Sequence, residues 1–348
     1  MHNDRREFIK AGVAAALTAA LPGFWPAEAG AETTGDRGTP IRIIVPRDYI
    51  PPVDGSYAYR LGRSVLDFVQ DHYGQGNLPL WGRPLVQVDL EKRVVNIVYW
   101  VLKGVREHQE VHPVDPAWVM AQIMAESFFN EFAVSPALAV GVCQFVAPTA
   151  RSYDMQVAGD VPGHHGPPHA RAEGAGMLEA YYRLRQKRRE LIRENRRFLN
   201  NREQLRQALE ALVKGRSVPE AAQHLAYLAQ AEKVQQDMDR ARQDYRDYLR
   251  ANFAGRSIFN PADVRFLVGF DERVTYKKPV TAMVHMLAQG LRVRNGNILA
   301  AAAGYNAGLS STIAPGLYQP FGRIPSYEET VTYISRVVVN HHAITRRL

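Results

Sequence analysis

The chain has 348 residues, of which 43 are Lys or Arg and 35 are Asp or Glu, giving a formal net charge of +8. Apolar residues make up 46% and charged residues 22%, which excludes a disordered chain, and the length fits one large domain or two modest ones. A single Cys excludes an internal disulfide framework and most thiolate metal sites. The basic excess suits an anionic partner without choosing among nucleic acid, a membrane face and an acidic polymer.

In chain order, residues 4–10 read Asp-Arg-Arg-Glu-Phe-Ile-Lys, placing the pair Arg5-Arg6 ahead of Phe8, Ile9 and Lys10. An Ala-rich apolar run follows from Ala11 to Phe24, then Ala27-Glu28-Ala29, with Ala29-Gly30-Ala31 as a second small-x-small frame. A charged start, a short apolar run and a processing site describe an export signal, and the Arg pair resembles the twin-arginine type of bacteria. About 14 apolar residues fall short of the ~20 that span a bilayer. The expectation is a signal over residues 1–31 cleaved near Ala29 or Ala31, a periplasmic protein, and no transmembrane segment in the mature chain. With no Cys near the cleavage site, a lipid anchor there is excluded.

Residues 32–40 are polar and read as a tether, and Ile41–Val45 as one short strand stopped by Pro46. Apolar residues at helical spacing predict helices over Tyr59–His72 and Leu90–Glu107. Asp115-Pro116 opens a third, with a capping carboxylate and Pro at the first turn, running to about Ser127. A Gly/Pro/His-rich loop lies between Val157 and Gly176. Two long polar helices, Leu178–Val213 and Pro219–Asn252, joined at 214–217, read as a helical hairpin. Its first arm is the basic one, with eleven Lys or Arg against five Glu over 178–214. Helices over Lys278–Arg292, Asn297–Ala307 and Ser326–Ile344 close the chain. No repeat and no convincing sheet emerges, so the fold class is mainly α.

On the helix from Asp115, Val119, Ile123 and Glu126 share a face, with Met120 and Met124 beside them. A carboxyl group in an apolar stripe, at the negative end of its helix, is disfavoured as an anion by desolvation and by the helix dipole. A general acid working near neutral pH needs such surroundings. Pattern alone leaves open a Glu at a frayed helix end.

Glu126-Ser127-Phe128-Phe129-Asn130, Ala133-Val134-Ser135-Pro136-Ala137, Ala139-Val140-Gly141-Val142-Cys143-Gln144 and Thr149-Ala150-Arg151 follow one another without a gap. Together they resemble the catalytic segment of the soluble-type (SLT) lytic transglycosylases. Ala301-Ala302-Ala303-Gly304-Tyr305-Asn306-Ala307-Gly308 resembles the family's A-A-Y-N-A-G, and Ile324-Pro325 with Glu329-Thr330 and Tyr333-Ile334 its I-P…E-T-x-x-Y-V. Departures from the family pattern are Glu131 for a Pro, Leu138 for a Gly, Val142-Cys143 for Leu-Met, Gly304 for an Ala, and one extra residue between Pro325 and Glu329. Leu138 and Cys143 are expected near the sugar cleft.

The resemblance implies a lysozyme-like α-helical catalytic domain over 90–156 and 259–348. An N-terminal extension over 32–89 precedes it, and the loop and helical hairpin of 157–258 are inserted into it. It implies peptidoglycan glycan strands as substrate, cleaved between N-acetylmuramic acid and N-acetylglucosamine with formation of a 1,6-anhydro end, Glu126 serving as acid and then base. Ordinary glycosidases set two carboxyls across the bond; here the acceptor hydroxyl belongs to the substrate, so one suffices. Substrate contacts fall to Ser127, Gln144, Tyr305, Asn306 and Tyr333. Ser127 otherwise bonds a backbone carbonyl at its helix end. Glu329 is explained by a capping box with Ser326 and is not counted as catalytic.

No cofactor motif is present, and His164, His165, His169, His341 and His342 complete no tetrahedral metal set. Glu131 as a second carboxylate would make a hydrolase, muramidase or chitinase. A protein without turnover, binding or assembling cell wall through its basic hairpin, is a third reading. The 178–252 hairpin is the candidate surface for a cell-envelope protein partner, and no nucleic-acid partner is expected.

Overall fold

The structure, a computed structural model, describes residues 43–160, 174, 176–196, 201–218 and 221–348. The expected signal, the tether and His164, His165 and His169 lie outside these residues. The described residues form two compact units, one from 43–156 together with 257–348, the other from those within 157–256.

In the first unit, short polar side chains set the helix starts. Asp54 accepts the Tyr57 N–H at 2.9 Å and opens α1 (Gly55–Tyr73). After α2 (Leu90–His108), Asp115 accepts the Ala117 N–H at 2.9 Å and, with Pro116, opens α3 (Pro116–Ser127). A single turn, α4 (Ala147–Arg151), follows. The unit resumes with α8 (Pro261–Phe270), capped by Asn260, then α9 (Lys277–Val293), α10 (Ile298–Ala307), capped by Asn297, and α11 (Glu328–Thr345). Helix α8 has the same polar-cap-then-Pro signal as α3.

Trp118, Val119, Met120, Ala121, Gln122 and Ile123 of α3 are all buried, which makes this helix the centre of the unit. Helix α11 packs along it, α9 packs on α2 and α10, and α1 on α2. A hydrogen bond of 2.8 Å between His341 and Asp115, and another of 3.3 Å from Asn340 Nδ2 to the Ala121 carbonyl, set α11 antiparallel to α3. The first turns of α11 therefore come to the Glu126 end of α3.

Of the strand expected at Ile41–Val45, residues 41 and 42 lie outside the described residues, and residues 43–45 form no strand. Among the described residues β structure is confined to isolated bridges, one of them Ile44 with Asn297. The segment is clipped by Val45 N–H to the Gly296 carbonyl (2.9 Å) and Ile298 N–H to the Ile43 carbonyl (3.0 Å). Gly296 has φ +81°, and a Cβ there would meet the Val45 oxygen at 2.2 Å, so the clip requires glycine.

The second unit holds α5 (Met177–Glu194), α6 (Asn201–Val213) and α7 (Ala221–Phe253). Helices α5 and α7 pack along each other. At the base, the fully buried Tyr245 donates its hydroxyl to the Ala158 carbonyl at 2.8 Å. The first arm, expected to be continuous from Leu178 to Val213, is two helices. Asn195 ends α5 at φ −105°, its Nδ2 donating to the Leu191 carbonyl at 2.9 Å. An asparagine amide that competes for the backbone in this way is a helix terminator.

Candidate active site

Helix α3 ends abruptly. Phe128 and Phe129 take left-handed backbone, φ 52° and 62°, and the Phe128 N–H returns to the Met124 carbonyl. Trp81 Nε1 donates to the Phe128 carbonyl at 2.9 Å and holds the turn. Two consecutive bulky residues in this region store strain that the surrounding packing must hold. Glu126 sits half-buried in the last helical turn, with Val119, Ile123, Met120 and Met124 buried along its helix.

The segment from Val134 to Phe145 folds as a tight loop beside it. The backbone pairs Val134 with Val140 and Val140 with Phe145. Gly141, at φ +84°, lies so close to the Arg273 backbone that an added Cβ would sit 1.8 Å from the Arg273 carbonyl oxygen. Arg273 is fully buried and ion-paired with Asp271 at 2.6 Å; its guanidinium also donates to the Leu138 and Phe145 carbonyls at 3.4 and 3.3 Å. The loop is thus pinned from below by one buried cation. Leu138 and Cys143 are 1% and 0% exposed, which corrects the expectation that they line the cleft: both are core residues. Leu138 has φ 63°, the backbone that a Gly there would take without strain. Burial pushes the Cys143 thiol well above its usual range, and the nearby Glu126 adds to the shift.

Ser127 is fully buried. Its hydroxyl lies 2.9 Å from the Val142 carbonyl and 3.3 Å from that of Ile123, so it ties α3 to the loop. This is the backbone-bonding arrangement, and the hydroxyl does not face a cleft. Gln144 is half-buried at φ 48°, its Nε2 donating to the Gly141 and Ala133 carbonyls at 2.8 and 3.2 Å. Both donations fix the amide and leave Oε1 as its acceptor. Tyr305, buried near the end of α10, donates its hydroxyl to the Cys143 carbonyl at 2.5 Å. Next to it, half-buried Asn306 accepts through Oδ1 from Thr330 Oγ1 of α11 at 2.9 Å. Tyr333, one turn further along α11, is 7% exposed. The Glu126 helix end, the Gln144 loop, the end of α10 and the start of α11 therefore meet.

Glu131, five residues beyond Glu126, is held elsewhere. Its carboxylate is 0% exposed and receives Arg93 Nε and Nη2 at distances of 2.7 to 3.2 Å, with the Tyr276 hydroxyl at 3.4 Å. Burial and then the Glu131 charge push the Tyr276 phenol well above its usual range. Arg93 is further covered by the Trp81 and Phe259 rings at 4.9 and 5.1 Å. This carboxylate is structural, and the two-carboxylate arrangement with Glu131 is overturned.

Glu329 is what the capping-box reading missed. Helix α11 is capped at Tyr327 without a side-chain bond, so the Ser326 box does not form. Glu329 Oε2 is instead buried with no hydrogen-bond partner among the described residues, and burial raises the carboxyl to about 7. At neutral pH much of it carries a proton and is able to donate. Spacing alone, Ser three residues before Glu, could not tell the two arrangements apart. Among the described residues no group of three His, Cys, Asp or Glu side chains converges on a possible metal position.

A mainly α domain whose central buried helix ends on a half-buried glutamate, walled by three other chain turns, is of the lysozyme-like class. Residues 105–193 match the family model described as the Transglycosylase SLT domain. That stretch is thus similar to an SLT domain, a likeness that points to lytic-transglycosylase-type activity on peptidoglycan. The matched stretch includes Glu126, Ser127 and Gln144 and stops before Tyr305, Asn306 and Tyr333. No curated protein and no solved structure matches the chain.

Proposed function

We propose that the protein is an exported lytic transglycosylase that cuts the β-1,4 bond between N-acetylmuramic acid and N-acetylglucosamine and leaves a 1,6-anhydro end. Glu126, protonated at rest, gives its proton to the glycosidic oxygen as the bond to C1 breaks. The carboxylate so formed takes the proton of the muramoyl C6 hydroxyl, whose oxygen closes onto C1. Leaving-group protonation and acceptor deprotonation are performed in turn by one group, so the enzyme returns to its starting state without water as reactant. Gln144 Oε1 and Asn306 are proposed to hold the acetamido and hydroxyl groups of the bound sugars, and the neutral Glu329 carboxyl to donate at the cleft edge. Tyr305 acts through the Cys143 carbonyl and Tyr333 through its buried place on α11, both as positioning residues.

The observation that carries this reading is the capture of Glu131 by Arg93. A hydrolase needs a second carboxylate to activate water or hold the cation, and the one nearest in sequence is committed to a buried ion pair. Site of action and export route follow the signal reading of residues 1–31: we propose a periplasmic protein delivered by the twin-arginine route.

The test is mass spectrometry of the products released from purified sacculi by the mature protein and by Glu126→Gln. Soluble products one water lighter than hydrolysed muropeptides, resistant to borohydride and absent with the variant, are expected. Full-mass, reducible products would move the reading to a hydrolase. Sacculus binding with no products from either protein would move it to a wall-binding protein.

A further inference from the structure

Helix α6 lies in the second unit and stands apart from the catalytic argument. Its apolar residues, Leu205, Leu209, Leu212 and Val213, recur at i, i+4, i+7 and i+8 and form one stripe. All four are exposed, Leu212 at 67% and Val213 at 88%. Among the described residues no other helix packs extensively along α6. A helix of 13 residues is marginal in water without tertiary packing. What supports it locally is polar: Arg206, at the flank of the stripe, is ion-paired with both Glu203 and Glu210 on the side away from the leucines. Exposed Arg202 near its start and exposed Lys214 and Arg216 just beyond its end add further positive charge. The amphipathic pattern is thus complete, but its apolar half has no cover within the described chain.

We propose that α6 is a surface-binding helix that lays its leucine stripe into the headgroup layer of an anionic phospholipid membrane. Its length, ~20 Å at 1.5 Å per residue, is too short to cross the ~30 Å hydrocarbon core. Among the described residues, no helix is long and apolar enough to do so. The geometry is that of a helix lying in the interface, with apolar side chains down and basic side chains at headgroup level.

Charge selects this occupant over two others. Residues 157–256 carry nineteen Lys or Arg against thirteen Asp or Glu, so a second copy approaching through the same face meets like charge. Glycan strands offer flat sugar faces that pack on aromatic rings, and α6 has none between Asn201 and Val213. An anionic lipid surface answers both the leucines and the surplus cations.

The experiment floats the full chain with vesicles of phosphatidylcholine alone and with vesicles containing about one-third phosphatidylglycerol. Flotation with the anionic vesicles only is expected, weakened on raising salt from ~0.05 to ~0.5 M. Leu209→Glu/Leu212→Glu, at two exposed positions, should lower anionic-vesicle binding by about tenfold or more while leaving helicity and turnover of soluble glycan unchanged. Failure of the parent to float with anionic vesicles, or equal flotation of parent and variant, overturns the proposal. So does a concentration-dependent dimer in sedimentation, or binding to lipid-free sacculi, that the double variant abolishes; either result assigns the stripe to that partner instead.

Discussion

Glu131→Gln separates structure from catalysis most sharply. The carboxylate is fully buried, and Arg93, its partner, keeps 12% exposure. Replacing one carboxylate oxygen by an NH2 group turns a donor toward the guanidinium and leaves the Arg93 cation without its counter-charge. Breaking a buried pair from one side costs about 3–5 kcal/mol. The lower end applies here, because Arg93 retains some solvent, its bond to the Asp89 carbonyl and the two aromatic faces over it. For a domain of this size about 3 kcal/mol lowers Tm by roughly 6–12 °C. Thermal unfolding read by near-UV circular dichroism measures the shift, and sacculus digestion well below the variant's Tm measures turnover. Turnover near that of the parent, with the Tm loss, is expected. Arg93→Met/Glu131→Leu, which removes both charges, should recover much of the stability. A variant that keeps its Tm but loses turnover as fully as Glu126→Gln would refute the reasoning and make Glu131 a catalytic group.

Other expectations follow from the same geometry. Glu329 has its folded-state value raised to about 7 from 4.5, so it favours the folded state fully below about 4.5 and loses that contribution as pH rises through 7. Denaturant unfolding of Glu329→Gln should accordingly show a flatter stability profile between pH 5 and 8 than the parent; equal slopes would contradict the burial argument. Gly141→Ala forces a Cβ against the Arg273 carbonyl at a positive φ and should cost on the order of 3 kcal/mol, read from the denaturation midpoint. An unchanged midpoint would mean that the loop is not pinned as described. Ser127→Ala leaves the Val142 carbonyl without its hydroxyl donor and should cost about 1–2 kcal/mol with kcat/KM near the parent's. A loss of kcat/KM without a loss of stability would restore Ser127 as a substrate contact.

Helices were legible wherever the sequence marked their starts. Asp115-Pro116 marks the start of α3, and Asn260-Pro261 carries the same signal for α8. The hairpin arm looked continuous because Leu and Arg spacing persists through Asn195, and periodicity weighs a single terminator too lightly. Glu126 could be found because chemistry and helix position coincide in one short stretch. Arg93 and Glu131 could not be joined, since 38 residues separate them and nothing local marks their pairing. Arg273 is hidden for the same reason: its pinning of the 138–145 loop is made by three-dimensional closeness across more than a hundred residues. Ser127 and Glu329 were each read from a local pattern that fits two arrangements, and packing chose between them.

The bonds that pin residues 138–145 and 156 to residues 271–273 join stretches of chain made at very different times. Glu272 N–H donates to the Gln156 carbonyl at 2.9 Å, and Gln156 N–H to Glu272 Oε2 at 2.7 Å. During synthesis the helix bearing Glu126 leaves the ribosome early, while Arg273, Tyr305 and the whole of α11 follow only after the hundred residues of the second unit. That second unit, built from contacts local in sequence, has all its parts in hand first. The first unit must wait with the apolar flank of α3 uncovered until α11 has been made, so its core closes in one late step. A chain stopped before α11 is then a client for chaperones, not a slightly loosened fold.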